Sequence, residues 1–123
     1  MSYKTTKKDF TEFKKEAEYW IEYFGLKRWE FSIIHSEIDH PDATASYSCD
    51  PEAMNAYITM ATSVNFKPIK NEIKGWAFHE VCHVLLTDMS RILRVECSDN
   101  RTALEVHKVI QTLQNTIFKE KRG

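Results

Sequence analysis

The chain is short of the residues that would tie it to a special environment. Its three cysteines, Cys49, Cys82 and Cys97, make an odd set with no Cys-x-x-Cys spacing. That excludes a disulfide scaffold and a cysteine-based zinc ribbon. Glycine and proline number only three each, and no repeat, low-complexity tract or linker divides the chain. No apolar run approaches the length of a membrane span, and the polar, basic stretch from Met1 to Phe10 does not read as a signal peptide. Neither charge dominates: 17 basic and 18 acidic residues leave a net charge of −1. Without a basic excess no nucleic-acid partner is expected, and without charge asymmetry no membrane surface. The lysines near both ends read as solvated termini. An intracellular, cytoplasmic location follows as the expectation. A length of 123 residues suits a single domain spanning 1–123, able to bury one core without a disulfide or structural metal.

What is there is clear periodicity. Phe10, Phe13, Ala17, Trp20, Ile21 and Phe24 recur at steps of three and four, which predicts a helix from about Asp9 to Phe24. Asp9 with Glu12 resembles a capping box, and Gly25 is placed as a stop. The period then becomes two. Trp29, Phe31, Ile33 and His35 alternate with Glu30, Ser32, Ile34 and Ser36, the pattern of a strand with one buried face. Two short strands follow, Ala43 to Cys49 and Asn55 to Ala61, and the turn signal Cys49-Asp50-Pro51-Glu52 between them predicts a hairpin. Pro68 is placed to open a helix running to about Thr87. On its wheel Ile69, Ile73, Trp76, His79, Glu80 and His83 share one side, while Phe78, Val81 and Leu85 share the other. A helix apolar on both sides should be buried on both, and Gly75 in its interior predicts a close packing contact. Ser98-Asp99-Asn100 would cap a last helix to about Phe118, with Ala103, Val106, Val109, Ile110, Leu113 and Ile117 as its inward stripe. The order helix, three strands, helix, helix makes an α+β domain with one small sheet.

The chemistry concentrates in His79-Glu80-Val81-Cys82-His83, a His-Glu-x-x-His on a helix. Residues four apart sit one turn apart on one face, so both imidazoles can bind one zinc at ~2.0–2.1 Å. Glu80, offset by about 100°, can reach a metal-bound water without being a ligand. Zinc lowers the pKa of such a water towards about 7, and the glutamate then takes its proton. Two core histidines and a glutamate, the bland alternative, would need three separate polar partners, and each left unpaired costs ~1–3 kcal/mol. One metal ion removes that difficulty.

A catalytic zinc takes three protein ligands. The later chain offers Glu96, Asp99, Glu105 and His107, with His35 and His40 earlier. Relative to the last helix's apolar stripe, His107 lies about 80° off and Glu105 about 120° off. His107 is therefore the better third ligand and Glu105 the reserve. Cys82 falls on the far side of the wheel and reads as a small buried residue. Tyr47 and Tyr57, on the hairpin, read as packing residues with exposed hydroxyls, His35 as partly buried at a strand end, and His40 as an exposed loop residue.

With these residues in place, the chain resembles the minimal zincin metallopeptidases found as short phage and bacterial proteins, related to the SprT-like group. The likeness rests on the N-terminal helix, the strand begun by Trp29-Glu30-Phe31, the pair of short strands, the helix His79-Glu80-Val81-Cys82-His83-Val84-Leu85-Leu86 and a terminal helix, nearly the full chain. In many relatives an acidic residue precedes a pair of aliphatics in the last helix; here His107 stands there, before Val109 and Ile110. The resemblance implies a zincin-like fold, Zn²⁺ held by His79 and His83, and peptide-bond hydrolysis with Glu80 as general base; His107 in the acidic residue's place departs from the family and favours three histidines over His-His-Glu, with the third ligand left between His107 and Glu105. It also implies a peptide or protein substrate lying as an extended strand along Ala43 to Cys49, with Asn55 to Ala61 as the inner strand. A zinc-binding module that keeps the fold without turnover is the alternative, although zinc binding alone does not require Glu80. A metal-free interaction domain fits the histidine spacing least.

Overall fold

The computed structural model describes residues 2–87, 89–90 and 99–122. Its first long element is α1, Lys7–Tyr23. The start lies upstream of Asp9, because Thr6 is the cap: its hydroxyl accepts from the Asp9 amide at 3.1 Å, and the Asp9 carboxylate accepts from the Thr6 amide at 3.0 Å. Asp9 is thus the third helical residue of the capping box, not its opening one. At the other end Gly25, at φ 68°, lets the chain reverse. The Gly25 amide bonds the Glu22 carbonyl and the Leu26 amide that of Ile21, the paired bonds of a Schellman stop.

Two short strands not foreseen in the sequence, β1 (Tyr3–Lys4) and β5 (Ser63–Val64), form an antiparallel pair. The main sheet holds β2 (Glu30–Ser36), β3 (Ala45–Asp50) and β4 (Asn55–Ala61) in the order β2-β4-β3. β3 and β4 are the expected hairpin, paired antiparallel with Tyr47 opposite Ile58. β4 is the inner strand and runs parallel to β2, with Ile33 opposite Ile58. Ala56, Ile58 and Met60 are fully buried, so the alternation puts one face of the sheet on the core and leaves Tyr57 on the other.

The central helix α2 spans Lys70–Leu85. Pro68 lies before the cap rather than in the first turn. Glu72 Oε1 accepts from the Ile69 amide at 3.0 Å, and Ile69, expected on the inward face, is 65% exposed. A residue at the cap has left the helical phase, so its position on the wheel does not predict burial. Ile73, Ala77, Phe78, Val81, Cys82 and Val84 are buried, between the sheet and α1. Trp20 meets Phe78 edge-on at 4.7 Å; removing such a ring from a closed core costs about 3–5 kcal/mol.

The C-terminal elements are α3 (Asp99–Leu113), a π-helical segment (Gln114–Phe118) and the short α4 (Lys119–Arg122). The expected cap at Ser98 lies outside the described residues. The inward stripe of α3 keeps four of its expected residues, with Val106 and Ile110 buried and Leu113 and Ile117 packed against the core, but Thr102 is buried beside them while Ala103 is exposed and Val109 is 37% exposed. The wider π turn changes the phase before Phe118 returns to the core. It lies against Gly75, where a Cβ would sit 3.2 Å from Gln114 Nε2, the close contact the glycine predicts. Glu16, buried in α1, accepts from Trp20 Nε1 at 2.7 Å and from Arg122 Nε at 2.8 Å, so a charged pair ties the last turn to the first helix. The architecture is α+β, and no described helix is long and apolar enough to cross a membrane.

Candidate metal centre

α2 presents His79, Glu80 and His83 towards α3, and α3 answers with His107. Helical spacing brings the first two together; the packing of α3 through Val106 and Ile110 brings the third. The three imidazoles offer donor atoms that all lie within 4.8 Å of one another. Ring centroids are separated by 5.0 Å (His79–His83), 5.5 Å (His79–His107) and 5.0 Å (His83–His107). Three imidazoles at tetrahedral angles around zinc, with bonds of ~2.0–2.1 Å, have centroids roughly 5 Å apart. The rings therefore already have the spacing of a three-histidine metal site.

The surroundings prepare each ring. His107 Nδ1 is 2.9 Å from the Ala103 carbonyl, which can only accept, so Nδ1 donates to it and Nε2 is the nitrogen left to face a metal. Desolvation, then the charge of His107, holds His79 below the ordinary histidine value. Desolvation, then His79 and His107, pushes His83 down to about 3. Both rings are thus neutral near neutral pH, the form that binds a metal. His83 also has a neighbour whose part was not read from the sequence. Tyr47 stacks on it, centroids 4.3 Å apart and planes 8° from parallel. The available signal was the alternation of β3, which puts Tyr47 with Ala45 and Cys49 on the inner face. The same turn is held by Thr87, whose hydroxyl donates to the His83 carbonyl at 2.9 Å. Tyr47→Ala is expected to weaken zinc affinity about tenfold, the scale of losing an orienting partner. A competition titration with a chromophoric chelator measures it.

Glu80 is 8% exposed and has no hydrogen-bond or ion-pair partner among the described residues. Burial pushes its carboxyl up to about 7. It lines two adjoining pockets, one of about 440 Å³ with the three histidines, Ala45, Ser46 and Tyr47, the other of about 670 Å³ along the first half of α2.

The remaining candidates lie elsewhere. Glu105 pairs with Lys108 at 3.3 Å on the exposed side of α3 and does not join the histidine cluster. His35 stacks on Phe10 at 5.0 Å, with Nε2 2.7 Å from the Thr5 hydroxyl. His40 accepts from the Asp42 amide in its loop. Tyr57 is 40% exposed on the outer sheet face. Cys82 is fully buried, its thiol pushed up to about 12 by desolvation and then by Glu80. Glu96 and the Asp99 side chain lie outside the described residues. No protein-family model matches the chain, and neither does any curated protein or solved structure.

Proposed function

We propose that this chain is a zinc-dependent peptidase of the zincin type. One observation carries the reading: the imidazoles of His79 and His83 on α2 and of His107 on α3 converge beside Glu80, a carboxylate of α2 with no hydrogen-bond or ion-pair partner among the described residues. His79, His83 and His107 would hold the ion, three ligands being the number a catalytic zinc takes from its protein. Bound zinc supplies Lewis acidity to a carbonyl oxygen and to water. Glu80 takes a proton from the attacking water and returns it to the amine nitrogen as the peptide bond breaks. A proton affinity near neutrality suits a group that must do both.

The sheet supplies a place for the substrate. β3 is an edge strand, and its Ala45, Ser46 and Tyr47 line the histidine pocket. An extended peptide that added to this edge would lie across the metal site, held mainly by backbone hydrogen bonds. Small side chains at Ala45 and Ser46 leave room for that approach. Ala45→Pro removes a backbone donor from the open side of the strand, because Ser46 opposite Thr59 is turned to β4 and Ala45 is not. It is expected to lower cleavage at least tenfold while zinc content, measured by elemental analysis, is unchanged.

The reading as a whole is tested by zinc content and turnover together. Protein reconstituted with zinc and desalted should carry about one ion per chain, and it should cleave a mixed peptide library in a chelator-sensitive manner. Zinc without cleavage would leave the binding module that lacks turnover; absence of zinc with all three histidines intact would refute both.

A further inference from the structure

The larger pocket beside the histidine site is open, part aromatic, and carries charge of one sign. Trp76, Ile69 and Phe118 supply its apolar surface, while Asp42, Glu72 and Glu80 supply three carboxylates. Among the described residues no lysine or arginine lines it. The lysines on the first turns of α2 are turned to α1: Lys70 and Lys74 approach Glu12 at 3.9 and 3.7 Å. Two of the carboxylates have partial partners. Glu72 accepts from the Ile69 amide through one oxygen, and Asp42 from the Asn65 side chain through one oxygen. Neither bond brings a positive charge. Glu80 is more than nine-tenths buried, has no partner, and faces this pocket as well as the histidines. Its carboxylate oxygens open to the pocket instead of being sealed in the core, where an incoming cation can meet them.

We propose that this pocket binds a lysine or arginine side chain of the substrate, on the C-terminal side of the bond that is cut. The class follows from the lining. A long methylene stem can lie along Trp76 and Ile69, with its charged head towards Asp42 and Glu72. An acidic side chain would be repelled, and a short apolar one would leave the carboxylates unmatched. The side follows from strand direction. The chain enters β3 beside the larger pocket, which Ala43 to Ala45 line, and runs on past the histidine pocket at Tyr47. A peptide pairing antiparallel to β3 runs the other way, so residues beyond the metal site on its C-terminal side enter the larger pocket. The position relative to the cut bond rests on the peptidase reading; the preference for a cation does not.

Two measurements test it. In the first, zinc-treated Glu80→Gln protein, which cannot turn over in the peptidase reading, is titrated into fluorescent peptides differing only in lysine, arginine or norleucine at one position. Fluorescence anisotropy should show lysine and arginine peptides binding about tenfold tighter than norleucine. Adding Asp42→Asn and Glu72→Gln should collapse that ratio towards one, as should 0.5 M salt, with its Debye length of roughly 4 Å. Both substitutions keep an acceptor oxygen for the bonds to Asn65 and Ile69. In the second, wild-type protein is given a mixed peptide library, and lysine and arginine should be enriched immediately C-terminal to the cut. Equal binding of all three peptides, a preference indifferent to the double substitution, or enrichment on the N-terminal side would each overturn the proposal. Cleavage with no basic preference would overturn it while leaving the peptidase reading standing. Basic preference in binding with no cleavage of any peptide would support the pocket and sink the peptidase reading.

Discussion

Glu80→Gln is expected to retain about one zinc per chain and to lose peptide cleavage by about 10²- to 10⁴-fold, the usual contribution of a general base. The substitution keeps the shape of the side chain and removes only its ability to take a proton. Glu80 belongs to no ion pair or hydrogen bond among the described residues, so the exchange orphans no partner. It also replaces a carboxyl that burial holds near a pKa of 7 by a neutral amide, and folding stability should hold or rise. No hydrogen bond or ion pair ties it to the three imidazoles, and the ion should stay. Steady-state kinetics on a cleaved peptide, with zinc measured on the same sample, decides the matter. Undiminished turnover would remove Glu80 from the chemistry. Loss of zinc together with turnover would make it a ligand instead.

His107→Ala should lower zinc affinity at least about 100-fold, more than loss of a partner behind a ligand costs, whereas Glu105→Ala should change it by less than about threefold. His107 stands 5.0 Å and 5.5 Å from the two rings of α2, centroid to centroid. Its free nitrogen is set by the bond to Ala103. Glu105 is turned to Lys108, with both side chains substantially exposed, and such surface pairs contribute little. His107 is itself exposed, so alanine there opens no cavity, and any loss of zinc is not loss of fold. Parallel competition titrations of the two variants separate the assignments. If Glu105→Ala releases the metal and His107→Ala does not, the third ligand is Glu105.

How far these residues were legible depends on the range of the interaction involved. His79, Glu80 and His83 lie within one helical turn, and helix geometry alone puts them on adjoining faces. Gly75 announced its contact because a glycine inside a helix is costly without a packing reason, and Gln114 is that reason. The hairpin of β3 and β4 was legible through its turn and alternation. The start of α1 was misread by a few residues, since Thr6 and Asp9 make a capping box as plausible on paper as the one beginning at Asp9. Ile69 was misread because a wheel assumes a helix that has already begun. The two-residue strands β1 and β5 carry no periodicity to read.

Local periodicity and capping chemistry therefore account for the long elements, for the hairpin of β3 and β4 and for the pairing of two histidines, because each depends on neighbours within a few residues. Three features depend on contacts between distant segments. The parallel register of β2 on β4 is a pairing across the chain, and period-two alternation is the same for either strand direction. The flank of α3's inward stripe depends on what packs against it: Val106, Ile110, Leu113 and Ile117 face the core as the periodicity predicts, but Thr102 is buried where Ala103 was expected, and Val109 is exposed. The stack of Tyr47 on His83 joins an edge strand to a helix that follows it by more than a full strand. In each case the deciding contact joins residues far apart in the chain, and it takes shape only when sheet and helices close over one core.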